Sequence, residues 1–178
     1  MNKNNTIKKF PQTSSIQYVH IAIGFTGLII GSFVYLSDRP PESTWFVNEF
    51  LYSVGQFIHS TFPDVFGSLN KSMASFLHTF SFTMITGAFN GESKRGCLVA
   101  AMFWAVVNIL FEIGQYFDSI AVTLIPDWFE QYELLKTVDN YFIAGCFDFW
   151  DIAAIFAGGL FGYLMLLFTM KPNLRNYN

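Results

Sequence analysis

Four runs of apolar residues, at 16–36, 73–89, 97–117 and 152–170, alternate with polar stretches along the chain. Each is close to the ~20 residues that a helix needs to cross a ~30 Å hydrocarbon core. A soluble domain can bury one such run, but not four in 178 residues. The pattern predicts an all-α integral membrane bundle of about four transmembrane helices, in a single domain over residues 1–178. The two long connections carry helical patterns of their own. Between Trp45 and Ser60, apolar Phe46, Phe50, Val54 and Phe57/Ile58 recur at helical spacing against polar Asn48/Glu49, Ser53, Gln56 and His59. Asp127-x-x-Glu130 has the form of a capping box and predicts a short helix with Trp128, Tyr132 and Leu135 on one face. Both segments are too polar to span. They are expected as surface-lying helices in the two outer loops, the alternative being ordinary local helix on the aqueous side.

Composition supports lipid as the solvent. Hydrophobic residues make up 52% of the chain and charged residues only 13%, against about 25% in soluble domains. The net charge of −3 and the lack of a basic stripe exclude a nucleic-acid partner. Seven of the ten basic residues (Lys3, Lys8, Lys9, Lys94, Arg95, Lys171, Arg175) fall on one side of the four-span topology. The positive-inside rule assigns that side, and both termini, to the cytoplasm. The acidic loop holding Asp118, Asp127, Glu130, Glu133, Asp139 and Asp148 then faces outward. Lys8 and Lys9 precede a run of full span length with no A-x-A exit, which reads as a retained signal anchor. Cys97 and Cys146 lack metal-type spacing, and this topology puts them on opposite faces, which forbids a disulfide between them.

A charge near the bilayer centre costs ~2.5–3.5 kcal/mol, so Glu112, alone in its span, needs a partner, water or a proton. Asn108 and Gln115 share its helical face. In the four-span topology His78, Glu112 and the Asp148/Asp151 pair fall at a similar depth, in the outer third of three helices. This predicts a polar pocket of His78, Asn108, Glu112, Gln115, Asp148 and Asp151 opening outward. Simpler roles stand beside that reading. His78 can be an interhelical hydrogen-bond donor, Gln115 interhelical glue worth ~1 kcal/mol or less, and Asp148 a helix cap. Gly27-x-x-x-Gly31 and Ala154-x-x-x-Gly158-x-x-x-Gly162 give smooth faces for helix packing, against each other or across a dimer seam.

Ser75-Phe76-Leu77-His78, Phe111-Glu112-x-x-Gln115 and Gly145-x-Phe147-Asp148-x-x-Asp151-Ile152-x-Ala154, followed by a glycine-rich span, resemble the VanZ-like family of small bacterial membrane proteins, named for a teicoplanin-resistance protein. The resemblance covers roughly residues 75–166 and leaves out the first span and the long loop after it. It implies a plasma-membrane protein connected with the cell envelope and names no reaction. One departure stands out. Many family members carry an arginine shortly before the final aspartates, where this chain has Ala144-Gly145-Cys146-Phe147. A cation for the carboxylates must come from elsewhere, or they share protons or bind a metal.

Three functional readings follow. The first is a non-enzymatic envelope protein whose pocket binds a membrane lipid or lipid-linked amphiphile and affects glycopeptide susceptibility or envelope assembly. The second is an enzyme acting on a lipid head group, with Glu112 or His78 as base and the aspartates holding a divalent cation. No cofactor is otherwise expected. The third is a structural subunit of a homodimer or larger membrane complex. The lack of a nucleophile–base pair favours the first.

Overall fold

Each apolar run forms a helix that extends until charge or a non-helical residue stops it. The structure, a computed structural model, describes residues 15–43, 45–63, 67, 70–90, 93–133 and 135–170. Lys3, Lys8, Lys9, Lys171 and Arg175, which carry the orientation argument, lie outside the described residues, as do the side chains of Trp45 and Phe46. The four long helices are α1 (Ser15–Asp38), α4 (Asn70–Phe89), α5 (Lys94–Tyr116) and α8 (Phe149–Thr169). The first long connection holds α2 (Trp45–Phe50) and α3 (Tyr52–Thr61), and the second holds α6 (Asp118–Thr123) and α7 (Asp139–Ala144). No strand occurs among the described residues. Side-chain caps start two of the long helices. Ser93 accepts from the Gly96 N–H at 3.1 Å, and Asp148 accepts from the Trp150 N–H at 2.9 Å.

Three of these helices, α1, α5 and α8, are long and apolar enough to cross a membrane. Only 28% of the most apolar stretch of each is buried within the protein, so their large side chains point away from it. Ile29, Leu110 and Phe168 are 70%, 61% and 84% exposed. The buried positions of α1 are instead His20, Gly24, Gly27, Gly31, Val34 and Ser37. Small residues inside and large apolar residues outside is the pattern of helices that meet in lipid.

The fourth long helix, α4, differs. It buries Thr79, Ser81 and Thr83 and packs against α1, α5 and α8. The glycine faces do not pack on each other. Both receive α4, which lies between them. A Cβ at Gly27 would come within van der Waals overlap of Ser81 Oγ, and one at Gly31 would sit 3.1 Å from Leu77 Cβ. On α8, a Cβ at Gly162 would sit 2.9 Å from Thr83, and one at Gly158 would run into the Phe76 carbonyl. Close backbone approach at these positions requires glycine. On the α5 side, Trp104 stacks on Phe82 at 4.4 Å, and its Nε1–H donates to Thr86 Oγ1 at 3.1 Å.

The connections depart from expectation in two places. The helix expected over 45–60 breaks at Leu51 (φ −135°, ψ 24°), and the bend brings Gly55 against Val47 and Pro41. Val47 and Gly55 are therefore the buried positions, while Phe50, Val54 and Phe57 are exposed. The capping box does not form. Pro126, at φ −69° and ψ 138°, is itself the N-cap of a five-residue 3-10 helix (Asp127–Gln131). Asp127 is thus the first helical residue, and its carboxylate cannot cap. Two hydrogen bonds fasten the first connection. His59 Nδ1 lies 2.9 Å from the Ser37 carbonyl, and the Tyr52 hydroxyl donates to Glu42 Oε1 at 2.6 Å. The second bond holds the Glu42 carboxyl below the usual carboxylate range and pushes the Tyr52 phenol up.

Gly158 and Gly159 provide a paired test. Gly158→Ala forces its methyl into the α4 backbone and is expected to lower stability by about 1–3 kcal/mol, as other overpacked cores do. Gly159→Ala meets nothing closer than 3.5 Å and should be tolerated. Thermal unfolding of the two variants in one detergent checks the contrast.

Candidate binding site at the mouth of the bundle

Both long connections leave the same end of the bundle, because α1 and α5 finish there and α4 and α8 begin there. Asp148 and Asp151 occupy the first turn of α8, and Glu112 the last turns of α5. Glu112 accepts a hydrogen bond from the Asp148 backbone N–H and lies within electrostatic reach of Asp151, Asp148 and Arg39. Asp151 receives the hydroxyls of Ser72 and Ser75 from the first turns of α4. Asp148 takes the cap role and flanks Glu112 as well.

Glu112 and Asp151 are 8% and 4% exposed. Glu112 Oε2 and Asp151 Oδ1 have no hydrogen-bond partner among the described residues. A buried acceptor left unsatisfied costs about 1–3 kcal/mol, and more if it is charged. Arg39 offsets part of this from the end of α1, where its guanidinium sits 4.8 Å above the Tyr35 ring. Its field reaches Glu112, Asp151 and Tyr141. The residue just past the end of the first long helix thus places a positive charge within electrostatic reach of both carboxylates.

The remaining expected pocket residues lie around this centre rather than in it. Gln115 hydrogen-bonds the Tyr141 hydroxyl and packs against Gly145, where a Cβ would sit 2.5 Å from its Cδ. Asn108 turns back to donate to the Trp104 carbonyl at 2.8 Å. His78 lies on α4 between the glycine face of α1 and Phe82, with its ring stacked 6.3 Å from that of Phe82. Among the described residues, no three His, Cys, Asp or Glu side chains are grouped as metal ligands would be. His20, at the opposite end, bonds Thr169 Oγ1 at 2.7 Å and ties α1 to α8.

Four contributors were missed from the sequence: Arg39, Ser72, Ser75 and Tyr141. Ser72 and Ser75 carry a signal in their three-residue spacing beside the start of α4, which puts both on one face. Arg39 carries one as the basic residue that ends a span on the same side as the carboxylates.

Compared with known proteins, the chain matches no protein-family model, no curated protein and no solved structure.

Tyr141 gives the site a pH signature. Burial, and then the charges of Glu112 and Tyr35, push its phenol up to about 12, against the pull of Gln115 and Arg39. The folded state thus holds this proton more tightly than the unfolded chain, whose value is near 10.0. The resulting stabilisation is complete below about pH 10 and is lost as pH rises towards about 12. Equilibrium unfolding across that window should show a steeper decline for the native chain than for Tyr141→Phe.

Proposed function

We propose that this chain is a VanZ-like protein of the bacterial plasma membrane, whose mouth binds the polar head of a lipid-linked or amphiphilic envelope molecule and thereby affects glycopeptide susceptibility or envelope assembly. In this reading α1, α4, α5 and α8 all cross the membrane, and both termini are cytoplasmic. The about 30 Å length of a 20-residue helix suits α4 for the crossing. Its hydroxyl-bearing faces are sheathed by α1, α5 and α8 and need not meet lipid.

One observation carries the binding role. Glu112 and Asp151 come from different helices and are both buried, and each holds an oxygen with no donor among the described residues. A purely structural pair would cost the bundle stability for no return, whereas a ligand bearing hydroxyl or amine donors would satisfy both atoms. Arg39 suits the same ligand by offering a counter-charge to an acidic group at the rim.

Expressed in a glycopeptide-susceptible host, the native chain should raise the teicoplanin concentration needed to stop growth. Glu112→Gln and Asp151→Asn should return it to the level of an empty vector, with thermal unfolding preserved. If both variants keep native susceptibility and the native set of copurified lipids, the mouth is not a binding site. Orientation has its own check. Cys146 is exposed and Cys97 fully buried, so an impermeant maleimide should label Cys146 alone, and from outside intact cells.

A further inference from the structure

An apolar concavity lies across α7 from the carboxylates. It is a cleft of about 700 Å³ between the last turns of α5 and the connection that follows. Every residue lining it is apolar or glycine, with Phe111, Phe117, Ala121, Leu124, Phe129 and Phe142 as its main walls. The size falls within the about 300–1,000 Å³ of sites that take a whole small ligand. Its rim includes exposed apolar side chains, Leu110 and Ile113 of α5 and Ile120 of α6. Where these helices reach the membrane surface, those side chains meet acyl chains.

Ile125, Pro126, Phe129, Leu135 and Val138 line this cleft and also back a smaller pocket of about 210 Å³. That pocket carries Asp127, Glu130, Asp139 and Lys136. Lys136 Nζ is already held by Glu133 Oε1 at 2.6 Å, which leaves three carboxylates to set the local sign. One wall of side chains therefore has an apolar groove on one face and a negatively charged pocket on the other.

We infer that this wall seats a single amine-bearing membrane phospholipid, its acyl chain in the cleft and its ammonium among Asp127, Glu130 and Asp139. The apolar lining selects a chain, and the acidic pocket selects a cationic head over an anionic one. The site stands apart from the mouth and does not depend on Glu112 or Asp151.

The test uses the full chain in nanodiscs made of equal parts phosphatidylethanolamine and phosphatidylglycerol. Trace lipid of either type carries a photoactivatable group on its acyl chain, and adducts are mapped by mass spectrometry. The amine lipid should label residues 110–142 in about two- to fivefold excess over the anionic one, the factor that a partly exposed ion pair supplies. Ala121→Trp should fill the cleft and remove these adducts. Asp127→Asn with Glu130→Gln, both exposed positions, should keep the adducts but equalise the two lipids. Where Ala121→Trp does not fold, the charge variant alone decides. Equal labelling by both lipids in the native chain overturns the inference. So do adducts spread evenly to lipid-facing Phe156 and Phe168. Glu112→Gln should leave the pattern intact, and loss of the adducts in that variant would merge the cleft with the mouth and overturn a separate site.

Discussion

Helix α4 is the least apolar of the four long helices, and the rest of the bundle is arranged around that fact. It carries Ser72, Ser75, His78, Thr79, Ser81, Thr83 and Thr86 within 20 residues. Thr79 and Thr86 bond their own backbone four residues back, at 2.9 Å and 2.7 Å, which hides two hydroxyls inside the helix. The others need neighbours. Glycines on α1 and α8 let those helices approach to backbone distance, and Trp104 of α5 covers a third side. Contact at that range covers the polar helix, and it fixes the height of each helix relative to the next, because a bump on α4 must meet a gap on its partner.

That vertical registration places the carboxylates. With Phe76 seated on Gly158 and Thr83 on Gly162, the first turns of α4 and α8 lie side by side. Ser72 and Ser75 then reach Asp151. The same packing on the α1 side runs antiparallel, with Gly24 near Ser81 and Ile85 and Gly31 near Leu77. It delivers the end of α1, and so Arg39, to the mouth. The glycine faces and the polar site are therefore one construction. A shift of one helical turn, about 5.4 Å, along either face would separate the serines from Asp151 or the arginine from Glu112.

Much of this was legible in the sequence, for reasons that also explain what was not. Span lengths follow from bilayer thickness, so the ends of the long helices lie within a few residues of the apolar runs, as with 16–36 against Ser15–Asp38. Depth follows from counting along a span, which puts His78, Glu112, Asp148 and Asp151 at one level. Azimuth does not follow from counting. Ser72, Ser75 and His78 are three apart, and each such step turns the side chain back by about 60°. The drift carries His78 away from Asp151 and onto the face that meets α1. Asn108 shares a face with Glu112, yet its amide is absorbed by the helix's own backbone. Arg39 is only a loop charge in a linear pattern, since nothing there says that the end of α1 lies within electrostatic reach of Glu112 and Asp151.

The second connection turns one short helix into a partition. Tyr141 and Phe142 are adjacent on α7, and successive helical residues point about 100° apart. Tyr141 therefore turns towards Gln115 and Glu112, while Phe142 stacks on Phe111 and closes the apolar cleft. Gly114 and Gly145 make this possible. A Cβ at the first would collide with the Phe142 ring, and one at the second with Gln115. A helix of six residues has little stability of its own, so α7 holds its place through its packing against α5, α6 and α2. The mouth and the cleft are thus distinct in chemistry, and they lie on the two sides of one short helix.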